Sequence, residues 1–177
     1  ASNHAWGVMD ALAVSDFPDI RTKCAIHSSS GSILLIPREG GHLFRMYVDL
    51  GEVPAGAGPT HLVADRHGRM IATDTRGDAV IVFEPTTGPD GGPREVARIA
   101  QPGGPYGITY DPVRDRVWVA SSGTNEVIGY DMTAPQPREV ARVATVQNPY
   151  TLGVDPQTGR LYVAGVSTGA VQFVDPE

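Results

Sequence analysis

The side chains of this chain that could do chemistry sit in three short motifs. Pro59-Thr60-His61, Pro105-Tyr106-Gly107 and Pro149-Tyr150-Thr151 bring hydroxyls and one imidazole to matching places. The second proline lies 46 residues after the first, and the third 44 after the second. Such groups can hold a small polar ligand by hydrogen bonds, or pack between elements with their hydroxyls in water. Each motif reaches an aspartate six residues after its proline: Asp65, Asp111 and Asp155. An aspartate that recurs in every unit, followed by proline at Asp111 and Asp155, reads as a turn former. Asp74, Asn125 and Asn148 fall in loops at places that do not match between units, and read as turn caps. His4, His27, His42, His61 and His67 are scattered without the spacing zinc requires, so no metal site is assigned. The lone Cys24 cannot form an internal disulfide and reads as a small half-buried residue.

The elements that must position these motifs recur with them. Arg69-Met70-Ile71-Ala72, Arg116-Val117-Trp118-Val119-Ala120 and Arg160-Leu161-Tyr162-Val163-Ala164 alternate like half-buried strands and follow turns at Gly68, Asp115 and Gly159. Ala79–Phe83, Glu126–Tyr130 and Ala170–Val174 supply the next strands. Pro93-Arg94-Glu95-Val96-Ala97-Arg98 returns 44 residues later as Pro137-Arg138-Glu139-Val140-Ala141-Arg142, a fourth, outermost strand where proline and charge discourage further pairing. A strand repeat with a period in the low to middle forties is the pattern of β-propeller blades. The expected fold is mainly β: a partial propeller of two to three four-stranded antiparallel blades, near residues 59–104, 105–148 and 149–177. The innermost strand of each blade starts just after its proline, which puts Thr60, His61, Tyr106, Gly107, Tyr150 and Thr151 at one mouth of the central channel.

Residues 105–131, from Pro105-Tyr106-Gly107-Ile108-Thr109-Tyr110-Asp111-Pro112 to Val127-Ile128-Gly129-Tyr130-Asp131, resemble a blade of the YncE, NHL and lactonase-like propellers, and the resemblance covers about 57–177. It implies a fold that hosts scaffolds, ligand-binding proteins, lactonases and lyases alike. Residues 1–53 carry no copy of the repeat. Trp6-Gly7-Val8-Met9-Asp10-Ala11-Leu12, Asp16-Phe17-Pro18-Asp19-Ile20-Arg21 and the run from Ile33 to Val48 resemble the substrate-domain segment of the flavin-dependent phenol 2-monooxygenases. By that resemblance Arg38, in Pro37-Arg38-Glu39, and Tyr47 would border a phenol and the flavin edge. From the residues alone, Ile33–Ile36 and Leu43–Leu50 form a hairpin turned at Glu39-Gly40-Gly41. Ser28–Ser32 is read as a polar loop, Asp10–Leu12 as a brief helix, Thr86–Pro93 as a loop, and residues 54–58 as a small-residue linker.

A Gly-x-Gly-x-x-Gly turn for a dinucleotide pyrophosphate does not occur in the sequence. No cofactor is therefore expected for this chain alone; FAD and NADPH enter only if the monooxygenase resemblance is functional. A net charge of −6, with no basic run, gives no footprint for nucleic acid. No stretch approaches the roughly 20 apolar residues of a membrane span, and residues 1–20 do not read as a signal peptide. The compartment is not written in the residues. A closed propeller needs at least four blades, and residues 59–177 supply fewer than three at about 45 each. The expectation is an open array: a piece of a larger propeller, several copies associating through open blade edges, or an edge patched by the N-terminal hairpin. Three functions stand: a propeller that binds a small ligand or a protein without catalysis of its own, a propeller lactonase or lyase, and a fragment of an aromatic hydroxylase.

Overall fold

The computed structural model describes residues 6–12, 22–28, 31–38, 43–49, 57–87 and 93–176, and every regular element among them is a strand. Two compact units are present, Ala1–Pro54 and Ala55–Glu177. The first holds β1 (Trp6–Leu12), β2 (Cys24–Ser28), β3 (Gly31–Pro37) and β4 (Leu43–Asp49), joined in one antiparallel sheet of order β1-β4-β3-β2. The expected hairpin is there, with Ile33 opposite Val48 and Pro37 opposite Phe44. Among its described residues, Leu35 and Phe44 are buried. The turn at Glu39-Gly40-Gly41, the segment Asp16–Arg21 and residues 54–56 of the linker lie outside the described residues.

Two local expectations give way to pairing. Asp10–Leu12 is not helical: β1 runs through it and pairs residue for residue with β4, from Trp6 opposite Asp49 to Leu12 opposite Leu43. Three residues cannot repay helix nucleation, whereas seven ladder pairs satisfy the backbone at once. Nor is Ser28–Ser32 wholly a loop, because Ser28 ends β2 while Gly31 and Ser32 begin β3.

The second unit is a partial β-propeller. Its first blade is β5 (Pro59–Ala64), β6 (Met70–Asp74), β7 (Ala79–Thr87) and β8 (Pro93–Ala100). The second is β9 (Pro105–Asp111), β10 (Arg116–Ser121), β11 (Glu126–Asp131) and β12 (Arg138–Ala144). The third has three strands, β13 (Pro149–Val154), β14 (Leu161–Gly165) and β15 (Ala170–Val174). The two Arg-Glu-Val-Ala-Arg copies form the outermost strands, as the charge pattern requires. Thr86 and Thr87 extend β7, and Pro93 opens β8, so the loop between them is shorter than the sequence suggested.

The core lies between blades. Ile71, Val80 and Val82 of the first blade meet Val117, Val119, Ile128 and Tyr130 of the second. Trp118, Ala120 and Val127 on the other side of the second blade meet Leu152, Leu161, Val163 and Val174 of the third. The expected half-buried alternation therefore fails at β10, where Val117–Ser121 are all buried because both faces are covered. It holds at β14, whose residues alternate from Leu161 to Val163.

Candidate functional site

At the start of each innermost strand the pairing register slips. The slips fall between Pro59 and His61, opposite Val119–Ser121 on β9, and between Pro149 and Thr151. A bulge re-aims the side chains beside it, and here it turns the residues after each proline into one cluster. The His61 ring meets the Tyr106 ring edge to face at 4.6 Å, and Tyr106 stacks on Tyr150 at 4.0 Å with a 33° tilt. The Tyr106 and Tyr150 hydroxyls hydrogen-bond to each other. That bond, with burial second, pushes the Tyr106 phenol up to about 12.

Hydroxyls hold the cluster in place. Thr73 donates to the Tyr106 carbonyl (2.9 Å) and Thr75 to the Pro105 carbonyl (2.6 Å), tying β6 to the next blade. Thr60 Oγ1 lies 3.0 Å from Thr73 Oγ1 and 2.8 Å from Thr75 Oγ1. With both partners' protons committed to carbonyls, Thr60 is the donor to one of them. Gly107 is set by close approach: a Cβ there would stand 2.5 Å from the Tyr150 carbonyl oxygen. Thr151 is exposed beside it. The structure thus brings His61, Tyr106 and Tyr150 together, uses Thr60 as support, and leaves Thr151 at the surface.

The opposite end of the blades is built from turns. Asp65 accepts from the backbone N–H of His67 and Arg69, Asp111 from Val113 and Arg114, and Asp155 from Gln157. These aspartates are turn formers with their oxygens engaged. Arg69 Nε is 2.6 Å from Asp65, and its other nitrogens donate to the carbonyls of Met132 and Ala134, clamping the first blade to the second. Asp115, fully buried, receives the Tyr110 hydroxyl (2.8 Å) and His67 Nε2 (2.7 Å), with Arg66 at 3.1 Å. Burial pushes its carboxyl up, but those hydrogen bonds and charges outweigh it and leave the group below its ordinary value. A groove of about 460 Å³ opens there over Met132, Val96 and His67; its arginine, Arg69, is already spent on the clamp.

Asp74, buried, accepts from the N–H groups of Ala57, Gly58 and Gly77, so it caps a turn. Asn125 and Asn148 both have left-handed backbones, and Asn125 Oδ1 accepts from Asn148 N at 2.7 Å. A recurrence here escaped the sequence: Asp78, Asn125 and Gly169 each precede the third strand of a blade with positive φ. Asp, Asn and Gly share that conformation but not a letter. Among the described residues no three His, Cys, Asp or Glu side chains gather as metal ligands would. In the first unit Arg38 is exposed just past β3, while Tyr47 is half-buried on β4 between Val8 and Leu34. Leu34 is four residues from Arg38, so the two positions are separated along the sheet by roughly 13 Å at about 3.3 Å per residue.

No protein-family model matches the chain. A 3-hydroxybenzoate 4-monooxygenase of Comamonas testosteroni is 60% identical over 55 residues, which are 31% of this chain and 9% of that protein. The FAD-dependent monooxygenase terD of Aspergillus terreus is 55% identical over 49 residues, 28% of this chain and 8% of its own length. The chain thus spans less than a tenth of either. Among solved structures, a Bacteroides fragilis protein provisionally assigned as a 6-phosphogluconolactonase superposes with a TM-score of 0.61 at 20% identity, over 86% of this chain and 50% of that one. A chain of the nidogen/laminin complex gives 0.54 at 21% over 80% and 51%. The periplasmic gluconolactonase PpgL of Pseudomonas aeruginosa gives 0.50 at 14%, over 83% and 50%. At these identities the structural likenesses show the propeller fold alone.

Proposed function

We propose that the blade repeat is a binding module that takes a small polar ligand or a partner at the mouth formed by His61, Tyr106 and Tyr150, without catalysis of its own. The observation that carries this reading is the stacked, hydrogen-bonded ring cluster. Rings fixed on neighbouring strands lose little entropy on binding and offer an apolar face beside a polar edge. The Thr60, Thr73 and Thr75 network holds backbone and hydroxyls rather than activating a nucleophile, since its protons go to carbonyls. The surrounding carboxylates Asp74 and Asp78 are committed to backbone N–H groups. Hydrolysis of a lactone would need a general base beside the rings, for which the His61 imidazole is the candidate, so turnover is read in the same experiment.

A second reading is favoured by the 60% identical segment. In it the Ala1–Pro54 unit is part of the aromatic-substrate pocket of an FAD-dependent, NADPH-consuming monooxygenase, with Arg38 and Tyr47 facing the phenol. The guanidinium would stabilise developing negative charge and the phenol would hold the substrate oxygen. The residue pattern for the flavin pyrophosphate is absent from the sequence, so the flavin would have to be held by another polypeptide segment.

NMR titrations of the tyrosine side chains, with turnover and flavin fluorescence read alongside, separate the readings. Shifts of Tyr106 and Tyr150 on adding glucono-δ-lactone or gluconate, with no turnover, support binding. Steady conversion of the lactone to the acid would replace that reading with hydrolysis. Shifts of Tyr47 with 3-hydroxybenzoate, together with quenching of added FAD fluorescence, would support the monooxygenase reading.

A further inference from the structure

We infer that the groove between the first and second blades is a binding site for a small neutral phenol, whose O–H donates to Nδ1 of His67. Both blades that form the groove have four strands, so the site lies within the repeat and not at its end.

Departures from the repeat mark this place. Arg69, Arg116 and Arg160 each follow a residue with a left-handed backbone: Gly68, Asp115 and Gly159, at φ of 79°, 51° and 81°. Two blades use glycine, which that conformation favours, and the second has an aspartate whose carboxylate is 1% exposed. Where the second blade meets the third, Arg114 lies over Gly159, at which a Cβ would stand 2.7 Å from the Arg114 Cζ. Arg114 donates to the carbonyls of Pro156 and Gln157, a plain clamp between blades. Where the first blade meets the second, His67 takes the place of Arg114 and Asp115 that of Gly159. Tyr110 likewise replaces the Val154 of the later junction. The three exceptions meet: His67 Nε2 and the Tyr110 hydroxyl bond Asp115 at 2.7 and 2.8 Å.

Burial alone would raise Asp115, but His67, Tyr110 and Arg66 keep it ionised. An ionised carboxylate only accepts, so Nε2 of the neutral imidazole carries the hydrogen and Nδ1 keeps a lone pair. The His67 side chain is 42% exposed and lines the groove. The other polar side chains there are engaged: Arg69 with Asp65 and two carbonyls, Glu84 with Arg94, and the Thr133 proton with Asp131. Every charge at the groove is therefore paired, which favours neither an anion nor a cation. The matching ligand is neutral, with a hydrogen for Nδ1 and an apolar body for Val96, Met132 and Pro135. A phenol suits this better than an alkanol, because its O–H is the stronger donor and the Met132 thioether favours an aromatic ring. The volume of about 460 Å³ is ample for one.

NMR of the full chain with isotope-labelled histidine, at about pH 8, tests this. The expected spectrum shows His67 as its Nε2–H tautomer, and phenol moves the Nδ1 signal with a Kd on the order of a millimolar. Toluene, of the same shape without the proton, should bind roughly tenfold more weakly. Asp115→Gly restores the residue of the other two blades at a backbone conformation glycine accepts. It should lose the tautomer preference and the phenol response together. The phenol and toluene comparison on the unaltered chain decides the matter even where that variant is unstable. Equal responses to phenol and toluene would overturn the inference, and so would an Nδ1–H tautomer at His67. A phenol response at Tyr47, Tyr106 or Tyr150 with His67 unmoved would also overturn it, while leaving the readings of those sites standing.

Discussion

Substituting Gly129 by alanine should destabilise the propeller unit, although alanine is ordinarily the better residue. An added Cβ would lie 2.6, 2.8 and 2.9 Å from Cζ3, Cη2 and Cε3 of Trp118. Carbon contacts are comfortable at about 3.5–4.0 Å, so the indole must retreat by about 1 Å. It cannot do so freely, because Leu152, Leu161 and Val163 close the other side of its slot. Overpacking of this kind costs about 1–3 kcal/mol. The stiffer unfolded chain returns about 0.4–1 kcal/mol of that. The net loss is about 1–2 kcal/mol, a fall in melting temperature of roughly 4–10 °C for a unit of this size. Urea titration followed by circular dichroism reads the stability, and a cycle with Trp118→Phe tests the cause. The indole N–H is buried without a hydrogen-bond partner, so the phenylalanine forfeits no hydrogen bond. In that background the added methyl should be tolerated, giving a coupling of about 1 kcal/mol or more. A neutral Gly129→Ala, or two strictly additive changes, would refute the claim that this glycine exists to seat the tryptophan.

Asp115→Asn should cost about 1–3 kcal/mol at neutral pH by weakening the bonds from Tyr110, His67 and Arg66. Because the folded pKa of Asp115 is lowered, its contribution is present above about pH 4 and lost as pH falls through the lowered value. The asparagine variant should show a flatter acid limb, read by melting temperature against pH. Arg69→Met strands the buried Asp65 and frees two carbonyls of the second blade, at about 3–5 kcal/mol. Arg160→Ala, at an exposed pair with Asp175, should leave the melting curve unchanged. Tyr150→Phe removes the hydroxyl that is hydrogen-bonded to that of Tyr106. Ultraviolet titration should then show one phenol moving down from about 12 towards the ordinary value; an unmoved titration curve counts against the ring pair.

The repeat was legible because its markers are chemically narrow. Proline opens each innermost strand, aspartate closes it, and Arg-Glu-Val-Ala-Arg marks the outer edge at two matching places. The same prolines lead into His61, Tyr106 and Tyr150, whose rings pack on one another. What stayed hidden were features that need a neighbour. The both-sided burial of Val117–Ser121 depends on blades before and behind, which strand alternation cannot reveal. Nothing in the sequence marks Thr73 and Thr75, and only the next blade's carbonyls give them a role. The left-handed position shared by Asp78, Asn125 and Gly169 is a constraint on φ, met by three different side chains. In the first unit, Asp10–Leu12 is strand because β4 offers it a ladder, a long-range cause with no local signature.

Because each blade leans only on the one before and the one after, protection against hydrogen exchange should be uneven along the array. The middle blade, flanked on both sides, becomes the slowest foldon, with the amides of Val117–Ala120 opening last. The strands β13–β15 pack on one neighbouring blade among the described residues, and their amides should exchange sooner than those of the middle blade.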